Sequence, residues 1–280
     1  MEFAKVGSLQ MGLLVLGLLI FLIVPVIIAI VWTVKKKERF TTVLIGAATF
    51  ILFAMILEKP IQNALILPTQ MGLPLHAAAK FINARPVLWA LIVGLFPGVF
   101  EETGRLVAFK TVLRNRKNRE TGISHGIGHG GIEVMIILGI TYISNLAYAV
   151  MINTGTFGNI IAQVAAQAPE QVEQGYAIAA QLAAFSAGDL AIAVVERIFA
   201  FMFHTGASML VFYACKDGKK FWLYPLAIVL HTLMDAIAGL NLAGVINLSP
   251  IMLEIIVAVF GIGVFLGAYF LLYRRDKIRG

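Results

Sequence analysis

Three apolar stretches of the chain each carry a helically spaced set of residues able to move protons or hold a metal. They are Glu101-Glu102 with Arg105, His129 with Glu133, and His231 with Asp235. A fourth stretch carries Glu196, Arg197 and His204. Charged and imidazole side chains are costly in hydrocarbon, so within apolar segments they face a polar interior or a water pocket. One such residue can be an accident of packing. Four segments bearing acids and imidazoles point to a buried hydrolytic or ion-handling site.

Spacing assigns faces to these residues. Glu101 and Arg105 are four apart and Glu102 and Arg105 three apart, so either glutamate can pair with the arginine. The other is then free to act as a general base. A structural ion pair between helices accounts for Arg105 and one glutamate, but not for the second. Pro97 removes a backbone hydrogen bond and predicts a kink just before the two acids. His129 and Glu133 share a helix face, which His125 extends. Five glycines between Gly122 and Gly131 weaken a helix in isolation but allow close backbone approach. A lone buried histidine is ordinarily a satisfied core residue; beside Glu133, in this small-residue setting, His129 becomes a candidate ligand. Glu196 and Arg197 are adjacent and project differently, so each is expected to need its own partner, with Arg197 paired structurally to a carboxylate on another span. His231 and Asp235 can present two ligands, or a ligand and the group that orients it.

The elements that position these residues are membrane spans. Of the 280 residues 60% are hydrophobic and 13% charged, and the mean hydropathy is +0.89. A soluble domain carries about a quarter charged residues. The expected fold is therefore an all-α polytopic transmembrane bundle, one integral membrane domain over residues 1–280 with its motif-bearing core at 86–240. Seven spans emerge: Leu9–Val34, Thr41–Leu57, Pro86–Val112, Ser124–Ile152, Ala187–Ala214, Phe221–Leu240 and Pro250–Tyr273. The second is short, with a possible broken continuation past Pro60 toward Leu67. The first is too long for a signal-peptide core and is expected to stay as a span.

The net charge of +7 does not call for nucleic acid, because the basic residues sit in short runs between spans. Lys35, Lys36, Lys37 and Arg39 form one run, and Lys110, Arg114, Arg116, Lys117 and Arg119 another. Lys216, Lys219 and Lys220 form a third, and Arg274, Arg275, Lys277 and Arg279 end the chain. With seven spans all four fall on one side, which the positive-inside rule makes cytoplasmic, with the N-terminus outside and the C-terminus inside. The longest outer loop, Asn153 to Gly188 with Glu170 and Glu173, is expected to hold a short amphipathic helix at the interface. The single cysteine, Cys215, excludes an intramolecular disulfide.

Counted from the basic ends at about 1.5 Å per residue, Glu101, Glu133, His204 and His231 all lie roughly 13–18 Å deep. Unrelated polar residues on helices of alternating direction have no reason to share a level. Neutral imidazoles and carboxylates at one level suit a zinc site, which in catalysis uses three protein ligands and keeps one position for water. A glutamate then accepts the water proton during attack on a carbonyl. No His-Glu-x-x-His motif is present, so the ligands must come from different helices.

These residues resemble a known group. Glu101-Glu102-x-x-Arg105 resembles the first motif of the CAAX protease and bacteriocin-processing membrane proteases. Gly128-His129-Gly130-Gly131-Ile132-Glu133, Glu196-Arg197…His204-x-Gly206 and His231-x-x-x-Asp235 are similar to the PrsW-type proteases, and most closely to the YhfC family of intramembrane metalloproteases. The resemblance covers spans three to six. It implies peptide-bond hydrolysis in or beside the bilayer, on a membrane-protein or membrane-associated peptide substrate, in a bacterial plasma membrane. On matching positions it implies Glu101 or Glu102 as base, with Glu133 as a PrsW-like glutamate. It further implies His129, His204 and His231 as metal or water-positioning groups, with Asp235 supporting them. Two other readings fit buried acids and imidazoles. A proton- or cation-coupled transporter uses similar chains but often shows internal repeats, which are not visible here. A non-enzymatic immunity or regulatory membrane protein would tolerate loss of the polar residues.

Overall fold

The computed structural model describes residues 3–277; the side chain of Glu170 and the terminal Arg279 lie outside the described residues. The chain is all-α, with no strand among those residues. Among the described residues seven helices are long and apolar enough to cross a membrane: Ser8–Lys36, Phe40–Ile66, Pro86–Lys110, Glu120–Thr154, Ala187–Lys216, Gly218–Leu242 and Pro250–Tyr273. It is an integral membrane protein of the polytopic all-α class.

In chain order the helices are α1 (Ser8–Lys36), α2 (Phe40–Phe50), α3 (Lys59–Ile66), α4 (Ala77–Asn83), α5 (Pro86–Lys110) and α6 (Glu120–Thr154). They are followed by α7 (Phe157–Gln167), α8 (Val172–Ala184), α9 (Ala187–Lys216), α10 (Leu223–Leu242) and α11 (Pro250–Ala268). The second span does not stop at Leu57. A π-helical stretch, Ile51–Glu58, joins α2 to α3, and Pro60 falls in the first turn of α3, where its missing N–H costs little. A four-residue repeat creeps forward around an α-helix and backward around the wider π turn. Mixing the two keeps Phe50, Ala54, Glu58 and Gln62, all buried, on one face. Helix α5 runs through Pro97 without a break. The outer loop holds two helices rather than one, because Ala168-Pro169 separates α7 from α8.

Two compact units divide the chain: Met1–Val26 with Val134–Val195, and Ile27–Glu133 with Glu196–Gly280. In the first, Leu14, Phe21, Val134, Tyr142, Ala149 and Leu182 share a buried core. Asn153 pins the segment before α1 by accepting from the Val6 N–H and donating to the Val6 carbonyl, both at 2.9 Å.

Every candidate site residue belongs to the second unit. Two close helix approaches set up the site there. At Gly94 a Cβ would lie 2.5 Å from the backbone nitrogen of Ala236, so the glycine lets α5 press against α10. At Gly126 a Cβ would lie 2.5 Å from Thr205 Cα, which brings α6 against α9. The first contact carries the Glu101 face of α5 toward His231, and the second carries the His129 face of α6 toward His204.

Candidate functional site

The centre of the cluster is Arg105, fully buried on α5. Its Nη1 donates to Glu102 Oε1 at 2.5 Å and its Nε donates to Ser208 Oγ at 3.2 Å. Its Nη2 lies 2.7 Å from His204 Nδ1 and 3.7 Å from Glu101 Oε2. A guanidinium can only donate, so His204 Nδ1 is the acceptor and the proton of the neutral ring sits on Nε2. That nitrogen stands 2.6 Å from Glu133 Oε2. His231 is held in the same manner: Nδ1 is 2.9 Å from Glu102 Oε1, which leaves Nε2 of the neutral ring as the lone pair. Each of these two imidazoles is thus oriented through one nitrogen by a carboxylate, the usual arrangement behind a metal-binding histidine.

Glu101 faces both rings. One donor atom from each of Glu101, His204 and His231 lies within 4.8 Å of the other two, and all three residues are buried. They come from α5, α9 and α10. Glu101 Oε2 is fixed by His129 Nε2 at 2.9 Å, while Oε1 has no hydrogen-bond partner among the described residues. Of the site glutamates it is the least neutralised, since its nearest guanidinium contact is 3.7 Å. Glu102 is bound tightly to Arg105, and Glu133 lies 3.4 Å from Arg197 Nη1 as well as beside His204.

The other sequence candidates fall around this trio. His129, named with the ligands, is one step out: it grips Glu101, stacks on His204 with ring centroids 5.2 Å apart, and leaves Nδ1 unpartnered. Asp235 lies 3.5 Å from His231 Nε2, and its side chain is 31% exposed, so the cluster meets its surroundings there. The expectation that Glu196 and Arg197 need separate partners is corrected. Their side chains pair with each other, and Arg197 also reaches Glu133. Adjacent residues do start about 100° apart on a helix, but the long arginine stem bends back across that angle. The basic loops are also less free than a solvated run: Arg116 approaches buried Glu38 at 3.6 Å and Arg119 pairs with Glu120 at 3.1 Å.

Three polar groups were missed by the sequence reading. Ser208 and Thr49 hold His125, at 3.2 and 3.3 Å; single hydroxyls in apolar helices carry no signal of that kind. Glu58 is the third. It is fully buried, both carboxylate oxygens lack a hydrogen-bond donor, and Lys59 Nζ stands 3.3 Å away. It is near enough to Glu101 and His231 to interact electrostatically with both. The buried four-residue repeat from Phe50 to Gln62 was the available sign.

A family model described as YhfC intramembrane metalloprotease matches residues 20–257. The chain is 32% identical over 232 residues to a protein of Bacillus subtilis (strain 168) named "Uncharacterized membrane protein YhfC", covering 82% of this chain and 84% of that protein. No solved structure matches the chain.

Proposed function

The chain belongs to the YhfC family, and from that membership and the cluster we propose that it is an intramembrane metalloprotease acting on membrane-embedded or membrane-associated peptides. The observation that carries this reading is the convergence of Glu101, His204 and His231, buried and drawn from three helices, to within 4.8 Å. Two imidazole nitrogens and a carboxylate oxygen match the donor set of a catalytic zinc site with a position left for water. We assign the metal to these three residues and take it to be zinc. When bound, such an ion polarises the substrate carbonyl and acidifies water.

The remaining work falls to the chain. Glu101 would give the ion one oxygen, Oε2, which His129 also anchors, and presents the other, Oε1, as the acceptor for the water proton. Water oxygen bonds to the peptide carbonyl carbon, the C–N bond breaks, and Glu101 passes its proton to the leaving amine. Glu102 and Glu133 orient His231 and His204. Arg105 supplies the counter-charge to Glu102 in its buried place and competes with a cation for His204 Nδ1, so loading the site requires the guanidinium to yield there. Asp235, at the exposed edge beside His231 Nε2, marks the entry for water.

Metal analysis of the purified protein tests the donor set. We expect close to one zinc per chain in the wild type, and loss of most of it in His231→Ala and His204→Ala. His125→Ala should keep its metal, because that ring faces Thr49 and Ser208 instead. Full metal content in the His231 variant would remove this residue from the set.

The basic runs support a cytoplasmic C-terminus and an external N-terminus in a plasma membrane. Cysteines engineered at 116 and 171, in a chain lacking Cys215, should differ toward an impermeant thiol reagent in intact cells. Only position 171 is expected to react; the opposite pattern inverts the topology.

A further inference from the structure

An apolar groove of about 450 Å3 runs between α10 and the last span, lined by none of the site residues but among others by Leu226, Leu230, Val259, Gly263, Gly267 and Leu271. At one end it adjoins a second cavity of about 550 Å3, and Leu271 and Leu272 line both. The second cavity is polar and basic, with Lys216, Lys220, Arg275 and Lys277 against Asp217 and Asp276. Asp276 is taken up by Lys216 and by Tyr213, and Asp217 lies 3.5 Å from Lys220. Arg275 and Lys277 have no carboxylate partner among the described residues. The cavity therefore keeps two positive charges to spare, and Trp222, exposed at the mouth of the groove, is a residue type favoured at the membrane interface.

From this continuity of an apolar slot with a surplus of positive charge, we propose that the paired cavities bind one anionic phospholipid. An acyl chain lies in the groove and the phosphate headgroup sits against Arg275 and Lys277. Length agrees with the assignment. Val259 and Leu271 are twelve residues apart, about 18 Å along a helix, against about 15 Å for half of a bilayer core about 30 Å thick. The lining agrees as well. A Cβ at Gly263 or Gly267 would meet nothing within 4 Å, so these glycines serve no packing inside the chain, and the slot they leave open is where a chain of methylenes fits. Basic pockets at the ends of transmembrane helices recognise anionic headgroups in this way. A transmembrane segment of a partner could use the apolar slot, but it offers no reason for the basic cavity.

Native mass spectrometry of the full chain, exchanged between phosphatidylglycerol and phosphatidylcholine of identical acyl chains, separates the two halves of the proposal. Each basic side chain beside an anionic headgroup is worth about fivefold in affinity. The wild type should therefore retain phosphatidylglycerol about tenfold or more over phosphatidylcholine. Arg275→Ala with Lys277→Ala should abolish that preference; both side chains are exposed, so the fold should not depend on them. Gly267→Leu, whose Cβ meets nothing within 4 Å and whose side chain extends into the slot, should reduce retention of both lipids, and Gly263→Leu serves the same purpose if the first variant does not fold. Equal retention of the two lipids by the wild type overturns the proposal and leaves the groove to a protein segment. So does an unchanged preference in the double variant, or undiminished retention with the slot filled.

Discussion

Glu101→Gln is expected to reduce single-turnover cleavage of a membrane peptide by about 10²–10⁴-fold, the range that a positioned general base contributes. The amide keeps the size of the carboxylate and can still accept from His129 through its oxygen, so the helix packing around it should persist. It cannot take a proton from water. Glu102→Gln is the informative partner. Glu102 is bound by Arg105 Nη1 at 2.5 Å and by His231 Nδ1 at 2.9 Å, so its loss should act through the arginine and the imidazole, lowering stability and metal content as well as rate. Size exclusion in detergent and metal analysis, run beside the cleavage assay, separate these outcomes. Wild-type cleavage by Glu101→Gln would remove it as the base. Retained metal with lost cleavage would mark it as a proton acceptor first and a ligand second.

Much of the arrangement is legible in the sequence because the bilayer imposes a strict rule. Any acid or imidazole inside a long apolar run must find polar company. Counting depth from the basic ends therefore brings Glu101, Glu133, His204 and His231 to one level before any packing is known, and their side chains meet. What the rule does not supply is the pairing within that level. Glu102 and Glu101 are adjacent in sequence and equally acidic. Only the packing of α5 among α6, α9 and α10 decides that Glu102 takes the arginine while Glu101 takes His129. Glu58 was hidden for a different reason. It precedes Lys59-Pro60, a triplet that reads as the end of a span, and a π-helical stretch is what carries it past that apparent end and onto the buried face. Arg197 shows the limit of counting angles: a side chain with several rotatable bonds reaches partners that its Cβ direction excludes.

Arg105→Ala should be the most destabilising single change at the site. The guanidinium is fully buried and binds Glu102, His204 and Ser208 at once, with Glu101 at 3.7 Å. Removing it strands the Glu102 carboxylate, itself fully buried, without its counter-charge. Breaking a buried pair from one side costs about 3–5 kcal/mol, because the remaining charge has no water and keeps only the His231 Nδ1 contact at 2.9 Å. Arg105→Lys should recover only part of this, since one point-like ammonium nitrogen cannot reach the partners that three separate guanidinium nitrogens hold. The decisive comparison is with the double variant Arg105→Met with Glu102→Gln. If the cost comes from the stranded charge, the double variant should unfold at a higher temperature in detergent than Arg105→Ala, although it has lost both members of the pair. If the two unfold together, the arginine stabilises the protein through its contacts with α9 instead. The double variant should still lose cleavage in either case, because His231 would no longer have a carboxylate holding its Nδ1–H.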